Sequence, residues 1–320
     1  MPTADHLKNL AIVAHVDHGK TTLVDCLMQQ SGVFRANQDV PEQALDSGEL
    51  ERERGITILS KCTSVKWKEC RINIVDTPGH ADFGAEVERV LSMVDGCLLL
   101  VDAAEGPMPQ TKFVLAKVLS QGLSPIVIIN KVDRTDARPT EVLDEIFDLF
   151  VTLDADESQL DFPVLYGSSK QGWFASEPTG PKENLEPLFQ LILDHVKAPE
   201  VEHEGPFQML VTTLEADSFL GRILTGRIQS GSITANGRAK AISSDGKQLE
   251  EARVTKILAY RGLERVPLKC AEAGDIVALA GFEKATVADT ICDALVFEGI
   301  TAKPIDPPTL SVTFSVNDSP

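Results

Sequence analysis

The stretch that decides the fold is Leu10 to Gln30, LAIVAHVDHGKTTLVDCLMQQ, in which an apolar run leads through a polar loop into a helical pattern. Leu10 to Ala14 are all apolar, as expected of a buried strand. A strand, a glycine-containing loop and a helix in this order direct backbone N–H groups and a helix amino terminus at an anion. The sequence therefore predicts a phosphate-binding loop formed by His15, Val16, Asp17, His18, Gly19, Lys20, Thr21 and Thr22.

Two side chains of this loop have specific chemistry. Lys20 is placed to bridge the β- and γ-phosphates of a nucleotide, and the Thr21 hydroxyl is placed to ligate Mg²⁺. The pattern usually begins with glycine, whereas this chain has Ala14 there. The loop alone is also compatible with an ordinary turn between a strand and a helix, so downstream motifs must decide between the two interpretations.

Apolar runs and amphipathic stretches alternate as far as about His195, which predicts an α/β domain with a mostly parallel sheet flanked by helices. The runs are Leu10–Ala14, Ile72–Val75, Cys97–Val101, Pro125–Ile129 and Pro163–Tyr166. Short strand-like segments separated by glycine turns follow, and they predict a small all-β barrel. We expect a nucleotide-binding domain in residues 1–198, a linker in 199–205, the barrel in 206–303 and a truncated third domain beginning in 304–320.

Composition narrows the class of protein. The 320 residues have a formal net charge of -18 and 43% hydrophobic content, so a packed core is expected and a bulk basic field is not. We therefore expect no DNA or membrane partner, and any RNA contact must be local. The six cysteines include no C-x-x-C pair, which favours a reducing compartment. No signal peptide or membrane-spanning run is visible, and we expect a soluble, cytoplasmic monomer.

A second motif, Asp76-Thr77-Pro78-Gly79, follows the apolar run Ile72–Val75. An acid at the end of a buried strand can hold Mg²⁺ through a water, which is the role predicted for Asp76. The Gly79 backbone N–H is placed to bond the γ-phosphate, and this loop would then sense hydrolysis. The same residue types also suit an ordinary β-turn.

The polar stretch between these motifs is too long to be an ordinary loop, because unstructured segments of such length are usually functional or mobile. It runs from Phe34 to Gly55 and ends in Ile56-Thr57-Ile58. Thr57 is a candidate to give its hydroxyl to Mg²⁺ and its N–H to the γ-phosphate. The alternative is an ordinary surface threonine.

The residues predicted to select the base follow the next strands. Asn130, Lys131, Val132 and Asp133 come directly after the run Pro125–Ile129. The Asp133 carboxylate can accept hydrogen bonds from the ring N–H and the exocyclic amine of guanine, and adenine lacks this pair of donors. Ser168, Ser169 and Lys170 follow the last strand, with the Ser169 backbone N–H predicted near the guanine carbonyl. Serines at such a place are also common turn residues.

With these motifs in order, the chain resembles the TypA/BipA family of translational GTPases. The shared core is AHVDHGKTT, ERERGITI, VDTPGHADF and NKVD. HADFGAEVERVLSMVDG, GPMPQTKFV and FDLFVTLDADESQLDFPV favour this family over elongation factor G and the LepA family. The resemblance continues through LGRILTGRI and AEAGDIVALAG, so it implies a P-loop GTPase domain followed by a translation-factor-type barrel. Ser169 replaces a usual alanine.

The resemblance also implies roles that the residues alone do not show. His80 would orient the attacking water, and Val16 with Ile56 would form an apolar gate in front of it. The large-subunit RNA of the ribosome would activate His80. GTP would be hydrolysed to GDP and phosphate with Mg²⁺ as cofactor, in ribosome assembly or translation under stress. Two alternatives stay open: a GTP/GDP-binding module with negligible hydrolysis in this truncated form, and a LepA-like GTPase.

Overall fold

The structure is a computed structural model that describes residues 6–32, 60–78, 84–262, 264–302 and 312–313. Its first part contains a seven-stranded sheet flanked by helices. The strands are β1 (Leu7–Ala14), β2 (Lys61–Trp67), β3 (Cys70–Asp76), β4 (Gly96–Asp102), β5 (Pro125–Asn130), β6 (Val164–Ser168) and β7 (Trp173–Ala175). The helices are α1 (Lys20–Gln30), α2 (Gly84–Leu91), α3 (Pro109–Ser120), α4 (Pro139–Thr152), α5 (Glu157–Leu160) and α6 (Glu186–His195).

The strand order is β2-β3-β1-β4-β5-β6-β7, with parallel pairing from β3 through β6 and antiparallel strands at the two edges. This order brings the carboxyl ends of β1, β3, β4 and β5 to one edge of the sheet. In the register, Asp76 lies opposite Ile12, and Asp102 lies opposite Asn130. The loops that leave these strands therefore meet at one place, as expected for a ligand site in an open α/β sheet.

Helices cover both faces of this sheet, which explains why its central strands contain continuous apolar runs. On one face, Val87 of α2 and Phe150 of α4 join the same buried cluster as Val101 of β4. On the other face, Leu27 of α1 and Phe189 of α6 pack with strand residues of the second cluster. Each predicted apolar run falls within or overlaps a parallel strand, while β2 and β7 were not predicted.

The second part of the chain is an all-antiparallel β domain. Its strands are β8 (Gln208–Asp217), β9 (Gly221–Ser230), β10 (Ser232–Thr234), β11 (Arg238–Ile242), β12 (Gln248–Arg253), β13 (Lys256–Arg261), β14 (Glu264–Leu268), β15 (Cys270–Glu272), β16 (Ile276–Ala280) and β17 (Thr290–Cys292). The main sheet has eight strands in the order β12-β11-β17-β8-β9-β16-β13-β14, and β10 pairs with β15. The predicted fold class, an α/β domain followed by an all-β domain, is confirmed.

The two domains contact each other along β1, β2 and β3. The Asn9 side-chain amide donates to the Gly274 carbonyl at 3.1 Å, and Asp95 forms a 2.8 Å ion pair with Arg227. Ser64 of β2 forms an isolated antiparallel bridge with Gly262, directly after β13. In the part of the chain that the structure describes, no helix is both long and apolar enough to cross a bilayer.

Candidate nucleotide-binding site

The predicted phosphate loop connects β1 to α1. The chain turns at Gly19, which has a φ of 96°. A Cβ added to Gly19 would lie 2.6 Å from the Asn130 Nδ2 atom. Both the left-handed backbone and this close approach require glycine. The loop is therefore fitted against the base-selecting segment, with α1 beginning at Lys20.

Lys20 connects this loop to the end of β3. Its Nζ atom lies 2.9 Å from Asp76 Oδ1 and donates a hydrogen bond to the Thr77 carbonyl oxygen. The side chains of Lys20 and Asp76 are 8% and 1% exposed. The Thr77 hydroxyl donates to the Ile12 carbonyl at 2.8 Å, which fixes the segment against β1. The Lys20 ammonium group, which is predicted to bind the phosphates, thus lies at the carboxyl edge of the sheet. It is beside Asp76, the carboxylate predicted to hold Mg²⁺ through a water.

The residues near this pair fit Mg²⁺ in their chemistry. Asp76 supplies a buried carboxylate and Thr21, in the first turn of α1, supplies a hydroxyl. Mg²⁺ prefers oxygen ligands, and it commonly uses few protein groups while it keeps waters and substrate phosphates. Among the described residues there is no cluster of three or more His, Cys, Asp or Glu that could hold a metal by itself. Such a sparse donor set suits an ion that is shared with a nucleotide.

Asn130 brings the predicted motifs together. Its Nδ2 atom donates to the His18 carbonyl in the phosphate loop at 2.8 Å. Its Oδ1 atom accepts hydrogen bonds from the Ser169 backbone N–H at 2.8 Å and from the Ser169 hydroxyl at 3.1 Å. Asn130, His18 and Ser169 are all buried. One amide therefore joins the phosphate loop, the end of β5 and the loop after β6.

This arrangement changes the account of Ser169. The sequence predicts that its backbone N–H meets the guanine carbonyl, but in the structure this N–H donates to Asn130. A contact to the base would have to share or replace that bond, so the predicted contact stays a prediction. Ser168 is buried beside it, whereas Lys170 is exposed.

Lys131 and Asp133 face the other side of the site. Lys131 has a φ of 61°, and its Nζ atom donates to the Asp17 carbonyl at 2.5 Å. The backbone N–H of Val132 donates to the Gly167 carbonyl at 3.1 Å. Asp133 is exposed, and its Oδ2 atom lies 3.4 Å from Gln171 Nε2. Its carboxylate is therefore accessible to a base.

Asp102 is a site residue that sequence reasoning missed. Its buried carboxylate lies 2.8 Å from Lys131 Nζ and 3.2 Å from an Arg134 nitrogen. Burial by itself would raise the pKa of Asp102, but the hydrogen bonds from Lys131 and the Ala104 N–H hold this pKa below its ordinary value. Asp102 therefore stays ionised and restrains Lys131. The sequence signal for Asp102 was its position as an acid at the end of β4, which corresponds to the position of Asp76 at the end of β3.

His18 was predicted for its backbone, and the structure adds a role for its side chain. The buried imidazole accepts a 3.3 Å hydrogen bond at Nδ1 from the Asp102 N–H, while Nε2 lies 3.4 Å from Glu105 Oε2. The His15 ring lies at 5.2 Å between centroids. Burial, followed by the neighbouring His15, lowers the pKa of His18, although Asp102 and Glu105 oppose this shift. The neutral ring thus links the phosphate loop to the end of β4.

Four predicted site residues, Ile56, Thr57, Gly79 and His80, lie outside the described residues. Their roles stay predictions. Val16, the other predicted member of the gate, is half-buried in the phosphate loop.

Comparison with known protein families follows the same division of the chain. The model of the elongation factor Tu GTP-binding domain matches residues 5–198. The chain belongs to this family. The model of elongation factor Tu domain 2 matches residues 221–292, within the β domain.

Curated relatives confirm the resemblance to BipA proteins. The chain is 53% identical over 316 residues to the large ribosomal subunit assembly factor BipA of Escherichia coli K12, which covers 99% of this chain and 52% of the relative. Identity to the Bacillus subtilis protein of the same name is 51% over 320 residues, or 100% of this chain and 52% of the relative. The chain thus spans about half the length of these relatives.

A solved structure supports the fold. The crystal structure of translation elongation factor SelB from Methanococcus maripaludis, in complex with the GTP analogue GppNHp, matches with a TM-score of 0.66 and 23% identity. The match covers 90% of this chain and 55% of SelB. It shows the shared arrangement of a P-loop GTPase domain and an antiparallel β domain.

Proposed function

We propose that this chain is the GTP-binding part of a BipA-type, ribosome-associated GTPase. It hydrolyses GTP to GDP and phosphate in the cytoplasm and acts as a conformational switch in ribosome assembly or translation under stress. The observation that carries this proposal is the Asn130 amide, which joins the phosphate loop to the base-selecting loops through His18 and Ser169. The identity of 51% to BipA over the whole chain gives the class of biological process.

Base selection is assigned to Asp133, with Lys131 packed between the phosphate loop and Asp102. The exposed Asp133 carboxylate can accept from the two N–H donors of guanine. A site built on such bonds rejects an analogue lacking the donors by roughly 10⁴ to 10⁵. Asn130, Val132, Ser168, Ser169 and Lys170 complete this end of the site in the proposal.

Charge neutralisation is assigned to the other end. Phosphoryl transfer depends mainly on positioning and on stabilisation of developing negative charge. Lys20 would leave the Asp76 carboxylate for the β- and γ-phosphate oxygens, because a nucleotide offers more negative charge at the same place. Mg²⁺, held by Thr21 and Thr57 and through a water by Asp76, would neutralise further negative charge on the phosphates.

The attacking water is assigned to His80, with Val16 and Ile56 as an apolar gate and the Gly79 N–H on the γ-phosphate. The roles of His80, Val16 and Ile56 are implied by the family resemblance, and that of Gly79 is predicted from the Asp76-Thr77-Pro78-Gly79 motif. A ribosome that places His80 would contribute roughly 10³ to 10⁵ in rate, by analogy with other GTPase activators. This corresponds to about 4 to 7 kcal/mol of barrier.

The proposed activator is the large-subunit RNA of the ribosome. The BipA relatives are named as large ribosomal subunit assembly factors. Because this chain has a formal net charge of -18, its contact with RNA must depend on local geometry and not on a general basic surface. We propose that it acts as a monomer, without a DNA or membrane partner.

The decisive experiment is phosphate release from GTP by this chain with and without ribosomes. We expect stimulation by ribosomes and its loss in His80→Ala, while His203→Ala, a change at an exposed histidine, keeps the stimulated rate. Full stimulation of His80→Ala would refute the role of His80. Guanine nucleotide binding without hydrolysis would instead establish the binding module.

A further inference from the structure

A second pocket lies between the two domains, away from the nucleotide site. Its volume is about 660 Å³, and its lining includes Ser64, Lys66, Glu69 and Arg71 on one side and Arg261 and Gly262 on the other. Arg71 is near the amino end of β3, whereas Asp76 is at its carboxyl end. Five residues of strand separate them by about 16 Å. The pocket is therefore distinct from the site that holds Lys20 and Asp76.

Backbone contacts hold the walls of this pocket in place. The Gly262 N–H donates to the Ser64 carbonyl at 2.9 Å, and the Ser64 hydroxyl donates to the Tyr260 carbonyl at 2.5 Å. These bonds join β2 to the end of β13. The pocket is preformed by the domain contact, which lowers the entropic cost of binding a ligand.

The charges around the pocket do not balance. Arg71 pairs with Asp275, and Lys66 lies 3.9 Å from Glu69. Arg261 donates to the Tyr260 carbonyl at 2.8 Å, and among the described residues no carboxylate lies within ion-pairing distance of its guanidinium. Arg261 is thus a half-buried cation without an ion pair among the described residues, in a chain whose formal net charge is -18.

Nearby charge accentuates this imbalance. Burial and then the charge of Arg71 lower the pKa of Arg261, while Asp275 opposes the shift. The buried Arg71 Nε atom also has no hydrogen-bond acceptor in the described part of the chain. The Arg261 guanidinium thus has N–H donors available to an oxyanion in the pocket, and the positive charge of Arg71 lies near it.

We propose that this interdomain pocket binds a small phosphate-bearing molecule, with Arg261 as its anchor. The planar guanidinium fork matches phosphate oxygens and forms strong, charge-assisted hydrogen bonds. The volume lies within the usual range for small-molecule sites. An extended RNA strand is disfavoured because the surrounding chain is strongly acidic.

The test is calorimetric titration of the chain, loaded with one equivalent of GDP and Mg²⁺, with inorganic pyrophosphate and separately with ADP. Adenine lacks the donor pair that Asp133 is proposed to recognise, so ADP should report the second pocket. We expect Arg261→Gln to weaken binding at least tenfold, the effect of removing a charge-assisted hydrogen bond. Lys66→Gln should weaken it about two- to threefold, as expected of an exposed charge.

The matched control is Arg238→Gln, because Arg238 is an exposed arginine of the β domain that does not line the pocket. Its titration should equal that of the unmodified chain, and residual binding at the phosphate loop would be common to all variants. The proposal is overturned if neither probe binds, or if Arg261→Gln binds as well as the control. It is also overturned if Arg261→Gln weakens only a single-stranded RNA oligonucleotide, which would establish an RNA contact.

Discussion

The two ends of the nucleotide site are stabilised in different ways. At the guanine end, the neutral Asn130 amide bonds to His18 and Ser169, and all of these groups are buried. At the phosphate end, Lys20 and Asp76 form an ion pair that is almost fully buried. A satisfied neutral network keeps its shape without a ligand, whereas a charged pair must exchange partners when a phosphate arrives. In the proposed site, base recognition would therefore be preorganised, whereas phosphate binding would require rearrangement.

The largest effect is expected from Asp133→Asn. An amide reverses one hydrogen bond, so GTP affinity should fall by roughly 10⁴ and xanthosine triphosphate should bind instead. Competition binding with both nucleotides measures the change. Asp136→Asn is the matched control, because Asp136 is exposed and pairs with Arg134. If the GTP affinity of Asp133→Asn stays within tenfold of that of the unmodified chain, Asp133 does not select the base.

At the phosphate end, Lys20→Met should lower the free energy of unfolding of the nucleotide-free chain by about 3 to 5 kcal/mol, because the Asp76 carboxylate stays buried and loses its ion pair with Lys20. Urea denaturation measures this, and adding Asp76→Asn should restore part of the loss. Lys117→Met removes the more exposed pair with Glu88 and should cost at most about 1 kcal/mol. Equal losses in the two lysine variants would contradict a special role for the buried pair.

Asn130→Ala should destabilise the guanine end by about 2 to 4 kcal/mol, since the buried His18 carbonyl and Ser169 N–H both lose their partner. GDP affinity should fall as well, with little dependence on salt, because no charge is removed. The free energy of unfolding and calorimetric binding at two salt concentrations test this. Asn184→Ala, at an exposed asparagine whose side chain accepts a hydrogen bond from the Glu186 N–H, is the control. A strongly salt-dependent loss of GDP affinity would contradict the role of Asn130 as the centre of an uncharged hydrogen-bond network.

A smaller effect should appear as a pH dependence of stability. The pKa of His18 is lowered in the folded chain, so below about pH 6.5 the unfolded chain binds protons that the folded chain does not. Stability is therefore lost as pH falls through that window, by up to about 1.4 kcal/mol per pH unit. Urea denaturation from pH 7.5 to 5.5 should show a shallower slope in His18→Asn than in His203→Asn. Identical slopes would exclude His18 as the titrating group.

The smallest effect is expected from Ser169→Ala, which restores the usual family residue. It removes the 3.1 Å hydroxyl contact to Asn130 but keeps the 2.8 Å backbone bond. We expect a loss of about 0.5 to 1.5 kcal/mol in the free energy of unfolding. GDP affinity should change by less than about tenfold. A loss as large as that of Asn130→Ala would mean that the Ser169 hydroxyl, and not its backbone N–H, is the main hydrogen-bond partner of Asn130.

The central strands were predictable because their residues are buried on both faces, which gives continuous apolar runs. Strand β2 was not predicted because its residues Thr63 and Ser64 are polar but buried. Their hydroxyls donate hydrogen bonds to the carbonyls of Gly262 and Tyr260. Nothing near them in the chain reveals partners so distant in sequence. The segment from Arg253 to Leu258 is strand-like in sequence, but the structure divides it between β12 and β13, because Val254 leaves the ladder and its N–H donates to the Gly237 carbonyl.

The candidate site divides in the same way. The phosphate loop, Asp76 and Asn130 follow strand ends, so spacing and residue type were sufficient to predict that they gather at one edge. Asp102 was missed because an acid after a strand is also an ordinary turn residue. Its importance arises from Lys131 and Arg134, which the pairing of β4 with β5 brings to it. Partnerships of this kind depend on tertiary geometry that a single sequence does not display.

The contact between Asn9 and Gly274, together with the pair Asp95 and Arg227, has a practical consequence for protein production. A recombinant fragment ending near residue 198 would keep Asn9 and Asp95, which bond each other, but would lose the Gly274 carbonyl and the Arg227 guanidinium that also bond them. Buried polar groups left without partners cost about 1 to 3 kcal/mol each unless water replaces them. The smallest well-behaved fragment for crystallisation should accordingly retain both domains.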